Sequence, residues 1–205
     1  MIKKIFGYFF SIVFLPLFLP LYGTMFVLYS NPYLYPNAHD NNLMLLRVGI
    51  NTFFIPAVAI GVMYRLKFIK GVEMYDRQDR VIPYIACGFF YIWTFYVFYR
   101  EHFPPAITYV LLGSTIAVFV DFLVNVLVTK VSMHATGAGG MVATVMILLP
   151  YAFYNSLNIF LITILCAGCV GAARLALKAH TEREVYLGYL TGFFSFLLAY
   201  NFWHF

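Results

Sequence analysis

Long apolar runs constrain this chain more than any other feature. Seven of them, at about 5–29, 43–64, 83–99, 106–128, 141–153, 157–174 and 185–203, are separated by short polar stretches. A helix needs roughly 20 apolar residues to cross the hydrocarbon core of a bilayer. Backbone groups in lipid must pair within a helix or around a closed barrel. These runs do not alternate apolar and polar residues as barrel strands do. The expected fold is therefore all-α, a polytopic transmembrane helix bundle of about seven spans. The run at 141–153 is short unless it begins at Gly137, and six spans result if it does not cross.

Composition points the same way. Of the 205 residues, which suit one integral membrane domain (1–205), 63% are hydrophobic, against about 45–50% in soluble domains. The first run follows Lys3 and Lys4 and is broken only by Pro16 and Pro20. It is too long for a signal peptide and lacks a small-residue cleavage site, so a retained first span is expected. Residues 154–156 are the expected turn into the sixth span. Gly188 and Gly192 form a Gly-x-x-x-Gly pair suited to close helix packing.

Seven spans place Lys3, Lys4, Arg65, Lys67, Lys70, Arg77, Arg80, Lys130, Arg174, Lys178 and Arg183 on one side, and only Arg47 and Arg100 on the other. The positive-inside rule makes the crowded side cytoplasmic. The N-terminus and the polar clusters are thus expected on the cytoplasmic face, in a bacterial inner membrane. The net charge of +5 then reflects topology and anionic headgroups, not nucleic acid. Cys166 and Cys169 have the spacing of a metal or redox pair, but no second pair exists, and no metal site is expected.

Three polar clusters carry candidate chemistry. In the stretch 174–184, His180 and Glu184 stand i, i+4 and would stack on one helix face. The carboxylate could then take one ring N–H and leave the other nitrogen as nucleophile or base. Arg174 offers a planar fork to phosphate. In the stretch 130–140, Lys130, Ser132 and His134 precede Gly137, Gly139 and Gly140. A hydroxyl and free backbone N–H groups at a glycine-rich helix start suit an anion, and His134 could protonate a leaving alkoxide. The same residues would serve equally as a helix cap with glycines for packing. The third cluster holds Lys70, Arg77, Arg80 and Pro83, cations that fit either phosphate or a cytoplasmic loop. Asp121 and Asn125, i, i+4 inside the fourth run, either join helices or orient site residues.

The stretch 174–184 resembles the third motif of the type 2 phosphatidic acid phosphatase superfamily, which reads Ser-Arg, five residues, His, three residues, Asp. Ala173 stands for the Ser and Glu184 for the Asp. Ser132 and His134 resemble the second motif, Pro-Ser-Gly-His, with Val131 for Pro and Met133 for Gly. Lys70 and Arg77 keep the spacing of the first motif, Lys, six residues, Arg-Pro, with Gln78 for Pro; Arg80 and Pro83 give a second registration. The clusters come in family order, two spans apart, so all face one side. The likeness covers about 70–188 and is nearest to a bacterial branch.

The resemblance implies an integral membrane lipid phosphatase acting on a phosphate monoester or diphosphate. His180 would attack phosphorus and form a phosphohistidine, with Glu184 orienting it. His134 would protonate the leaving oxygen and then activate water. Arg174, Ser132, Arg77, Arg80, Lys70 and Lys130 would bind phosphate, with Asp121, Asn125 and Gly137 in support and no cofactor or metal. Its partners would be a lipid phosphate and the surrounding lipids. The sequence does not choose among undecaprenyl diphosphate, phosphatidic acid, phosphatidylglycerol phosphate and lipid A. The substitutions leave an alternative: a member without catalysis that binds or transports an anionic lipid.

Overall fold

The structure, a computed structural model, describes residues 2–71, 76–153 and 157–202. The expected turn at 154–156 and the end of the seventh run at Trp203 lie outside the described residues. The first crossing is made by α1 (Ile2–Val13) and α2 (Leu19–Ser30), and the second by α3 (Ala38–Gly49) and α4 (Ile55–Arg65). Then follow α5 (Val81–Arg100), α6 (Pro105–Leu127), α7 (Met133–Leu148), α8 (Leu157–Ala176) and α9 (Glu182–Phe202). The described residues contain no strand, and they form seven segments long and apolar enough to span a membrane. The protein is an integral membrane helix bundle.

Prolines set the breaks. Leu15 is extended (ψ 133°) before Pro16, as a residue ahead of proline prefers. This separates α1 from a short turn at Pro16–Phe18 and from α2. In the second crossing a π-turn, Ile50–Phe54, joins α3 to α4 just before Pro56. Pro56 has no N–H to give the Thr52 carbonyl four residues back. The Tyr91 hydroxyl donates to that carbonyl instead, at 3.4 Å.

The fifth span departs from expectation. It begins at Met133, well before Gly137 or Met141, and with the turn ending at Tyr151 it is 19 residues long. The stretch 133–140 looks too polar and too small for a span, but those residues pack on α9 and not on lipid. A methyl at Gly192 would overlap the Thr136 carbonyl oxygen, and one at Gly139 would overlap the Tyr189 backbone. One at Gly188 would sit 2.6 Å from the Ser132 carbonyl oxygen. The two backbones therefore touch, and the glycines are there to allow it.

Around this seam α2 and α6 close the main core, with Val27, Leu28, Ile107, Tyr109, Val110 and Phe196 almost fully buried. The α3–α4 segment lies outermost. Its apolar stretch is 17% buried, against 56% for the segment containing α7.

Over-packing a closely fitted helix seam costs about 1–3 kcal/mol. Gly192→Ala is expected to destabilise the protein by that much, read as a lower thermal unfolding midpoint in detergent. The same change at Gly61, where an added methyl meets nothing within 4 Å, is expected to leave the midpoint in place.

Candidate functional site

At the end of the bundle where α1, α5, α7, α8 and α9 meet, side chains from all three polar clusters line one cavity of about 230 Å³. Arg80 comes from the turn before α5, His134 from the first turn of α7, Arg174 from the last turn of α8, and His180 from the α8–α9 connection. Leu15, Pro16 and Leu17 reach the same cavity from the α1–α2 break.

Local structure explains each placement. Lys178 ends α8 in a left-handed conformation (φ 54°), and the Ala179 N–H turns back to the Arg174 carbonyl at 3.1 Å. That is a helix C-terminal closure, and it leads the chain directly into His180. Thr181 and Glu184 then form a reciprocal capping box on α9. The Thr181 N–H donates to Glu184 Oε2 at 3.3 Å, and the Glu184 N–H donates to Thr181 Oγ1 at 3.4 Å. The box fixes the carboxylate beneath the histidine, and His180 Nδ1 lies 2.7 Å from Glu184 Oε2. A carboxylate only accepts, so Nδ1 carries the proton and Nε2 has the free lone pair.

Lys130 closes the arrangement from the other side. Its ammonium lies 3.7 Å from Glu184 Oε2 and donates to the Ala179 carbonyl at 3.3 Å. Arg80 is buried, 7% exposed, and donates to the Val131 carbonyl at 2.9 Å. Arg174 donates to Ser11 Oγ at 2.8 Å, and His134 Nε2 lies 3.1 Å from the Ser11 carbonyl oxygen. If Nε2–H is given to that carbonyl, Nδ1 is the His134 nitrogen left to exchange a proton. Ser132 is fully buried; its N–H donates to the Glu184 carbonyl at 3.2 Å, and its hydroxyl has no partner among the described residues.

The remaining candidates lie elsewhere. Lys70 is exposed and pairs with Asp76 at 3.0 Å. Arg77 donates to the Asn125 carbonyl, and Asn125 Nδ2 donates back to the Arg77 carbonyl at 3.1 Å. Of the two first-cluster registrations, it is Arg80 with Pro83 that borders the cavity. Asp121 accepts from Thr191 Oγ1 at 2.9 Å, and Thr191 in turn meets Thr136 Oγ1 at 3.2 Å. It therefore ties α6 to α9 and α7 beside a smaller cavity of about 40 Å³. Gly137 packs its bare Cα against Leu19 and Pro16.

Sequence reasoning missed Ser11 and Tyr84, and it saw the break at Pro16 without giving it a place in the site. Ser11 meets Arg174 across 163 residues and His134 across 123, and no local pattern announces such a pairing. Tyr84, 2% exposed, lines the cavity with its hydroxyl beside the Arg80 guanidinium. Its one sequence signal is its place directly after Pro83. Comparison with protein-family models, with characterised proteins and with solved structures finds no match to this chain.

Burial presses His180 towards its neutral form, and the charges of Arg80, Lys130 and Arg174 add to this, bringing its pKa down to about 3. Glu184 pulls the other way, but one carboxylate faces three cations. The folded state thus holds His180 unprotonated, whereas the unfolded chain protonates it near pH 6.5. Between those values the unfolded state binds more protons, so stability falls as pH drops from about 6.5 towards 3, by at most about 1.4 kcal/mol per pH unit. His180→Gln removes this component. Its unfolding midpoint is expected to fall less than the wild-type midpoint between pH 7 and pH 4.5.

Proposed function

We propose that this protein is an integral membrane lipid phosphatase of the type 2 phosphatidic acid phosphatase kind, working through a phosphohistidine. The observation that supports it best is the common cavity of Arg80, His134, Arg174 and His180, with Glu184 bonded to the far side of His180. Binding an anion needs only cations. A neutral histidine with its tautomer set by a carboxylate, facing a second histidine, adds what nucleophilic displacement requires.

In the first step His180 Nε2 forms a bond to phosphorus, and the bond from phosphorus to the lipid oxygen breaks. His134 in its protonated form gives its proton to that oxygen. In the second step a water attacks phosphorus, the P–N bond breaks, and His134 takes the water's proton. Inorganic phosphate leaves and both histidines return to their starting state. Arg80 and Arg174 stabilise charge on the equatorial phosphate oxygens beside largely apolar walls, where such contacts count most. The first N–H groups of α7 add donors; Ser132, fully buried and not among the residues lining the cavity, has no part in this step. Lys130 balances Glu184. In this proposal the site faces the cytoplasm, on the strength of the eleven cations at that end.

His180→Ala is expected to abolish phosphate release from any lipid phosphate that the wild type cleaves. Glu184→Gln keeps a capping side chain but loses the charge, and is expected to lower kcat by up to about 10⁴-fold. The measurement is phosphate release by the folded, purified variants, together with trapping of an acid-labile phosphoryl group on the wild type. Full activity in His180→Ala would refute the mechanism. Lipid binding without phosphate release by the wild type would favour an anionic-lipid carrier.

A further inference from the structure

The cavity has two unlike kinds of lining. Arg80, Tyr84, His134, Arg174 and His180 carry its polar groups, and the rest of its wall is apolar. Leu17, Met133 and the two prolines, Pro16 and Pro83, belong to that apolar part. Prolines have no N–H, the apolar side chains donate nothing, and the Cys87 thiol is a weak donor. Leu15, Ala57 and Ile60 complete the apolar lining, and all three are half-buried. Ala57 and Ile60 stand i, i+3 on the inner face of α4, whose Val58 is 49% exposed on the outer side.

We propose that this cavity takes a phosphate whose ester oxygen carries a single hydrocarbon chain directly, an alkyl or prenyl phosphate. The chain passes into the bilayer between α4 and the α1–α2 break. The inference rests on the phosphatase reading for what happens to the phosphate, and on the wall chemistry for the tail. In a diacylglycerol phosphate, two ester carbonyls follow within a few bonds of the phosphate. Here they would meet prolines and methyl groups, with the polar groups already occupied by phosphate. A buried acceptor without a donor is unfavourable, whereas a hydrocarbon chain leaves nothing unpaired. α4 suits the side wall of such a path, because its segment is the outermost of the bundle.

The test uses the full chain in phosphatidylcholine nanodiscs. Wild-type kcat/KM is expected to be at least about ten-fold higher for farnesyl phosphate than for dioleoyl phosphatidic acid, the size expected when one or two buried carbonyls lose their partners. In parallel, dodecylphosphonate is expected to raise the unfolding midpoint more than a diacylglycerol phosphonate at the same mole fraction. Ala57→Trp and, independently, Ile60→Trp are expected to lower the turnover ratio of farnesyl phosphate to methyl phosphate. Val58→Trp, on the lipid side of α4, is expected to leave that ratio unchanged. Equal or greater turnover and stabilisation with the diacyl compounds would overturn the inference, and an unchanged ratio in both folded inner-face variants would overturn the path. Cleavage of no probe would sink the phosphatase reading, and the phosphonate comparison would then decide this inference alone.

Discussion

Carbonyl groups released where helices break or end hold Arg77, Arg80, Lys130 and His134 in place at the cavity end of the bundle. A bilayer offers no water to an orphaned carbonyl, so each must find a donor within the protein. Ser11, in the last turn of α1, accepts from His134, and Val13 beside it accepts from the Tyr22 hydroxyl at 2.6 Å. The Val131 carbonyl, ahead of α7, takes Arg80, and the Ala179 carbonyl, beyond α8, takes Lys130. The Asn125 carbonyl, near the end of α6, takes Arg77. Each pairing with Arg77, Arg80, Lys130 or His134 relieves two costs together, an unpaired acceptor and a cation or imidazole taken out of water.

The same arrangement pre-organises the site. Arg80 and Arg174 are long side chains with many rotamers, and ordering them at the moment of binding would be costly. Their contacts to Val131 and Ser11 fix them beforehand. Beneath them, α7 and α9 touch backbone to backbone at Gly139, Gly188 and Gly192. His134 and Glu184 therefore ride on two helices that cannot slide past each other without a clash.

Much of this was legible in the sequence, for definite reasons. Apolar run length pointed to about seven crossings, because the bilayer sets one thickness for all of them, and left only the short fifth run open. The spacing of His180 and Glu184 was readable because both lie within one helical turn. What stayed hidden depends on partners far along the chain. The residues 133–140 read as a polar helix start or cap largely outside the span, since nothing local says that α9 will cover them. Lys70, Arg77 and Arg80 read alike as loop cations, yet only Arg80 has its side chain drawn under the bundle to the Val131 carbonyl. Ser11 sits in a run of phenylalanines and isoleucines with no mark of a role.

The bond between Ser11 and Arg174 also has a consequence in time. At about 5–20 residues per second, the ribosome needs roughly 10 to 30 s to advance from one to the other. For that interval α1 rests in the membrane with its Ser11 hydroxyl lacking the guanidinium, and His134, once made, awaits a finished wall. The site is thus assembled late, when the sixth crossing docks against the first. A growing chain carries no complete cavity wall until nearly all of it has been inserted.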